Sequence, residues 1–95
     1  MLSERERKLV KLLFESRESL TTEKLAFHLA VTSRTVKSDM KSINAKLSEK
    51  DIRIQAKQGK GIWLDVPSGE EQWVYELLYG GDNREHQIRN LRKYE

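Results

Sequence analysis

The stretch 25–47 constrains this chain more than any other, because two amphipathic segments meet there with almost no chain between them. Leu25, Ala26 and Leu29 share one side of a short helical period that closes near Ala30, and Val31-Thr32 breaks it. A longer period follows at once. Val36, Met40, Ile43 and Leu47 form its apolar stripe, and Arg34, Ser38, Lys41 and Ala45 form the opposite one. This is helix-turn-helix spacing. The outward face of the second helix is cationic, polar and slim, which suits a helix entering the major groove of a duplex: small side chains permit close approach, and Arg or Lys reaches base edges and phosphates.

The flanking sequence supplies the rest of a small domain. Ser3 followed by Glu6 fits a capping box, and Leu9, Val10, Leu12, Leu13 and Phe14 give a helix over 4–15 its buried face. Leu20-Thr21 reads as a short edge strand, Thr22 as the cap of the helix reaching Ala30, with Glu23 against its N-terminal dipole, and Thr32 as the cap of the next helix. Beyond Leu47 the period changes to two. Ile52, Ile54 and Ala56 alternate with Arg53, Gln55 and Lys57, and Ile62, Leu64 and Val66 alternate with Trp63 and Asp65. These are two antiparallel strands joined by Gln58-Gly59-Lys60-Gly61, a basic hairpin whose apolar side must lie on the helices, since a two-stranded hairpin is marginal alone. Pro67-Ser68-Gly69 interrupts the pattern. A helix over 70–79 follows, with Trp73, Val74, Leu77 and Leu78 on one side and Gly80-Gly81 at its end; 82–95 has only Ile88 and Leu91 at helical spacing. The expected architecture is α+β and mostly α: a winged helix-turn-helix with a three-helix core, a two-stranded hairpin wing and an additional C-terminal helix. Residues 1–66 form the winged helix, and 67–95 an acidic helix and tail leading toward a following domain.

The net charge of +3 conceals an uneven distribution. Over 33–61, eight cations oppose three carboxylates, leaving +5; over 62–80, four carboxylates and no Lys or Arg give −4. Such a chain presents a basic face to a polyanion if folding keeps the two segments apart. There is no cysteine, which removes disulfides and thiolate metal sites. No apolar run nears the roughly 18 residues of a membrane span, and the Met-Leu-Ser-Glu-Arg start lacks a secretory apolar core, so the expected setting is cytoplasmic. His28 and His86 have no paired ligand or nucleophile at a useful spacing. Without a Gly-rich phosphate loop, a nucleophile pattern or an apolar carboxylate pair, neither catalysis nor a cofactor or metal has a foothold.

The residues expected to meet double-stranded DNA are therefore Arg34, Thr35, Lys37 and Ser38 near bases, with Arg34 placed to bond guanine N7 and O6 bidentately, Ser33 beside them at the helix start, Thr32 and Lys41 on phosphates, and Lys57, Gln58 and Lys60 of the wing on phosphates or in the minor groove, with phosphates favoured. Two other readings compete. A winged helix also serves as a protein interaction module, for which the aromatics Trp63, Trp73, Tyr75 and Tyr79 would be the surface and Phe27 a partner or dimer contact; the plainer expectation is that Phe27, opposite Leu25 and Leu29 on the wheel, packs beneath a neighbouring loop and that Trp73 packs with the other aromatics. RNA fits less well, because the A-form major groove is too narrow for such a helix.

Leu25-Ala26 through Val31-Thr32-Ser33-Arg34-Thr35-Val36-Lys37-Ser38-Asp39-Met40, with Lys57-Gln58-Gly59-Lys60-Gly61-Ile62-Trp63-Leu64, resembles the N-terminal winged helix of PRD-containing bacterial sugar-operon regulators, those related to the mannitol operon activator, BglG-type antiterminators and Mga-type regulators. The opening Leu2-Ser3-Glu4-Arg5-Glu6 fits that start as well. The resemblance covers about residues 1–66. It implies a DNA-binding domain of a regulator of a phosphotransferase-system operon, with two copies in a homodimer of the full regulator, and no membrane contact. The chain departs from the pattern at Ala30, where glycine is common, at Ile62, where an aromatic is frequent, and at Ser33 and Ser38, where arginines often occur. Ala30 carries up to about 1 kcal/mol of strain if the turn requires positive φ there.

Overall fold

A computed structural model describes residues 2–16 and 19–80. In chain order it contains α1 (Glu4–Glu15), α2 (Thr22–Leu29), α3 (Ser33–Leu47), a one-turn 3-10 segment (Ser48–Lys50), β1 (Arg53–Lys57), β2 (Gly61–Asp65) and α4 (Glu71–Tyr79). This is the expected winged helix-turn-helix, mostly helical with one antiparallel hairpin. The expectations placed on 82–95, including Ile88, Leu91 and His86, lie outside the described residues.

The helices α1, α2 and α3 each start where a side chain satisfies amides that have no partner within the helix, whereas α4 starts at Glu70 without a side-chain cap. The Ser3 hydroxyl accepts from the Glu6 amide at 3.1 Å while the Glu6 carboxylate accepts from the Ser3 amide at 2.8 Å, completing the capping box. Thr32 caps α3 as expected, accepting from Thr35 N at 3.1 Å. The cap of α2 is Thr21, not Thr22: its hydroxyl accepts from Lys24 N at 3.1 Å, and Thr22 is the first helical residue. Two adjacent threonines satisfy the same local rule, and packing of the preceding chain decides between them. Leu20 makes only a single bridge to Ile62, so the short edge strand over Leu20-Thr21 does not form.

One continuous core holds these elements together. Leu9, Val10 and Leu13 of α1, Leu25 and Ala26 of α2, and Val36, Ile43 and Leu47 of α3 are buried with Ile52, Ile54 and Ile62 of the wing region. Val74 and Leu78 of α4 join the same cluster. Burying each such aliphatic side chain contributes about 1.5–3 kcal/mol. Ala56, expected on the apolar side of β1, is exposed, because the hairpin tip projects past the helices.

The hairpin pairs Arg53 with Asp65, Gln55 with Trp63 and Lys57 with Gly61. Its tip turns through Gly59 at φ +83°, closed by Lys60 N donating to Lys57 O at 3.0 Å. Gly61, at φ +95°, lies so close to the preceding loop that an added Cβ would sit 2.8 Å from Ser19 Cβ and 2.9 Å from Leu20 O. Only glycine permits that approach, which lets Ile62 N donate to Leu20 O at 2.8 Å and ties the wing to the body.

The turn between α2 and α3 is closed by Ala30 N donating to Phe27 O and Val31 N donating to Ala26 O, with Ala30 at φ 56°, ψ 43°. This is a Schellman closure, whose left-handed position favours glycine. The alanine is therefore strained as the sequence suggested. Ala30→Gly should raise stability by about 1 kcal/mol, read as a higher urea midpoint at unchanged m.

Candidate nucleic-acid interface

α3 turns its polar stripe outward. Arg34, Lys37, Ser38, Lys41 and Ala45 are exposed, Ser33 and Thr35 are half-buried, and Thr32 is exposed at the helix start. The Thr32 and Thr35 hydroxyls lie 3.0 Å apart, so both are already engaged in the cap. Lys57, Gln58 and Lys60 are exposed on the wing. A single open groove is lined by Lys37 and Met40 of α3, by 56–62 of the wing and by 21–23 at the start of α2. Lys37 of the helix ridge thus borders the same groove as the wing tip, with Glu23 also on its wall.

Two ion pairs that sequence reasoning missed fix the rotation of this ridge. Asp39, 7% exposed, is the sole carboxylate of α3 and points inward, where Arg5 of α1 meets it with a fork of two bonds: Nε to Oδ2 at 2.6 Å and Nη2 to Oδ1 at 3.1 Å. The side-chain hydrogen bond to Asp39 and its charge raise the Arg5 pKa. In the reciprocal pair, Lys46 of α3 donates to the buried Glu6 of α1 at 2.7 Å. Burial pushes the Glu6 carboxyl up, but the hydrogen bonds from Lys46, Ser42 and the Ser3 amide outweigh it, and its pKa falls from 4.5 to about 2. Arg34, Lys37 and Lys41 form no ion pair with any described residue. The inward turn of Asp39 was available in the sequence: it falls between the polar and apolar stripes, not among the exposed cations.

Asn44, also missed, joins α3 to the wing. Its carboxamide accepts from Ile54 N at 2.6 Å and donates to Ile54 O at 3.3 Å, satisfying the open edge of β1. No periodicity argument identifies such a contact, since Asn44 sits beside the stripe and its partner is a backbone ten residues away.

The aromatic residues do not gather into one surface. Trp63 stands on the outer face of the wing with Lys60 Nζ 4.5 Å from its ring centroid, Trp73 packs at the core edge with Lys50 over it, and Tyr75 and Tyr79 pair on α4. Burial first, then a hydrogen bond to Glu15, raises Tyr79 to about 12. Phe27 is 84% exposed on the side its wheel position gives it, with the edge of His28 against it, so the expected packing beneath a neighbouring loop does not occur. Among the described residues no group of three or more His, Asp or Glu is placed to hold a metal ion, and no helix is long and apolar enough to cross a membrane.

Residues 5–62, from the arginine that holds Asp39 to the isoleucine that ties down the wing, match the family described as HTH domain. The chain belongs to this helix-turn-helix domain family. No curated protein matches it. HTH domains are DNA-binding modules of transcription regulators, and their second helix is the one that enters the major groove, a position α3 occupies here.

The Glu6 pair makes the anchoring of this HTH domain acid-sensitive. A carboxyl whose pKa is lowered on folding contributes fully above its ordinary 4.5 and loses that contribution as pH falls toward about 2. The loss across this window should be on the order of 2–3 kcal/mol in urea unfolding of the parent chain, and clearly smaller in Glu6→Gln, which has no proton to gain.

Proposed function

We propose that this chain is the sequence-specific DNA-binding domain of a bacterial transcription regulator serving a carbohydrate operon of the phosphotransferase system. One observation carries the DNA reading: in a domain of the HTH family, α3 exposes Arg34, Lys37 and Lys41 with no carboxylate among them, and Lys37 lines the same groove as Lys57 and Lys60 of the wing. The operon class rests on the sequence resemblance alone.

In this reading Arg34 bonds the N7 and O6 of a guanine, and Thr35, Lys37, Ser33 and Ser38 approach neighbouring base edges. Thr32, Lys41, Lys57, Gln58 and Lys60 hold the duplex by its phosphates and so set register without reading sequence. Thr32 and Thr35 have hydroxyls committed to the helix cap, which leaves them acceptor and methyl contacts more than free donors. Serines at 33 and 38 make fewer phosphate contacts than arginines would, so a single copy binds weakly and the full regulator uses two copies in a homodimer. Residues 67–95 lead from the winged helix toward a following domain, and the regulator acts in the cytoplasm.

Titration of labelled cognate and scrambled duplexes at several salt concentrations tests this reading, with the cognate sequence selected from a random library. Lys60→Ala should weaken binding equally on both duplexes and lower the salt slope by about 1, whereas Arg34→Ala should erode the preference for the cognate by about 1–3 kcal/mol. Identical losses for both variants on both duplexes would overturn the assignment of roles. No binding by the parent chain even at low salt would overturn DNA binding itself and favour a protein interaction module.

A further inference from the structure

The outer face of the wing holds a pair that the phosphate reading of Lys60 does not by itself require. Trp63 lies across the hairpin from Gln55, and Ile62 beside it is turned into the core, so the indole faces away from the body. Lys60 Nζ sits 4.5 Å from the ring centroid, well within the reach of a cation–π contact. The strand beneath the ring is fixed: Ile62 N donates to Leu20 O at 2.8 Å, and Gly61 packs against Ser19 and Leu20. Lysine has one of the largest side-chain entropies, and a lysine at a glycine-bounded tip would otherwise lose all of it on meeting a phosphate.

We infer that Trp63 is a positioning residue of the wing: its indole face holds the Lys60 ammonium in place before DNA arrives, so that the phosphate contact forms with little further ordering. The inference rests on the reading of Lys60 as a phosphate contact. The indole does not itself touch the duplex; it acts through the lysine. Because a phosphate contact is independent of sequence, a labelled duplex of arbitrary sequence is a sufficient probe.

The test compares Trp63→Ala, Trp63→Leu, Trp63→Phe, Lys60→Ala and the double variant Trp63→Ala/Lys60→Ala in the full 95-residue chain. Far-ultraviolet circular dichroism establishes that each is folded. Trp63→Ala and Trp63→Leu should each raise the duplex Kd about two- to fivefold, the equivalent of an exposed cation–π contact, while Trp63→Phe, which keeps a ring face, should stay within about twofold of the parent. The double variant should bind no more weakly than Lys60→Ala alone, because the ring has no role once the ammonium is gone. Leucine binding as tightly as phenylalanine would assign Trp63 to packing and overturn the inference, as would additive losses in the double variant. Loss of salt dependence at Lys60 with no change at Trp63 would overturn the inference while leaving the wing reading standing. A parent chain that binds no duplex would overturn both.

Discussion

Everything outward about this domain depends on how α3 is rotated about its own axis. A helix with an apolar stripe can roll by a fraction of a turn at modest cost, since Val36, Ile43 and Leu47 would each keep much of their burial. Directional bonds prevent this. The guanidinium fork from Arg5 to Asp39 and the bond from Lys46 to Glu6 are reciprocal, each helix giving one cation and one anion, and together they hold two points of α3 about two turns apart against the first turn of α1. The same bonds remove Asp39 from the surface. A helix whose sole carboxylate is buried and neutralised keeps an outward face of one charge sign, so the structural role of the ion pair and the character of the exposed ridge have a single cause.

The wing depends on α3 in turn. Two antiparallel strands are not stable by themselves, and β1 would present an unpaired edge. Asn44 satisfies that edge from the middle of α3, and Leu20 satisfies the opposite edge at Ile62. The hairpin is therefore held on both sides, with Ile54 and Ile62 buried below it. Fixing the wing to the ridge-bearing helix, instead of to the chain in general, means that Lys37 and the tip residues keep a constant separation across the groove. In the proposed reading, a fixed spacing would let the two polar surfaces meet one duplex together.

The elements were predictable where local physics decides them. Periodicity placed all four helices and both strands to within a residue or so, and capping chemistry identified Ser3 and Thr32, because each depends only on residues three or four apart. The exposure of the Arg34, Ser38, Lys41, Ala45 stripe followed from the same wheel, whereas Phe27, expected to be covered by a loop, is not. What escaped was long-range or locally degenerate. Thr21 and Thr22 are equivalent caps until Leu20 is bridged to Ile62. Arg5 and Asp39 lie 34 residues apart, and Glu6 and Lys46 lie 40 apart, so no window of sequence contains both partners. The basic count over 33–61 consequently included Lys46 as a surface cation, although the fold spends it on Glu6. Ala30 is the instructive middle case, in which the departure from glycine was visible in the sequence but the positive φ of 56° that strains it appears only in the folded chain.

A helix selected for stability alone would not look like α3. Arg34 and Lys37 are three residues apart, and Lys37 and Lys41 four, so each pair faces its neighbour and costs about 0.2–0.5 kcal/mol. An interleaved Glu at one of these positions would convert repulsion into attraction. The Thr32 cap, worth about 1 kcal/mol, and the packing of Val36, Ile43 and Leu47 keep the helix formed in spite of it. Neighbours on one ridge lie closer than the Debye length of roughly 8 Å at physiological ionic strength, so salt relieves their repulsion only in part. A polyanion relieves it fully and only in the folded state, where the three cations are aligned. Under the proposed DNA contact, the free energy that the ridge withholds from folding would be returned on association, which would link binding and stability of the domain through the same three side chains.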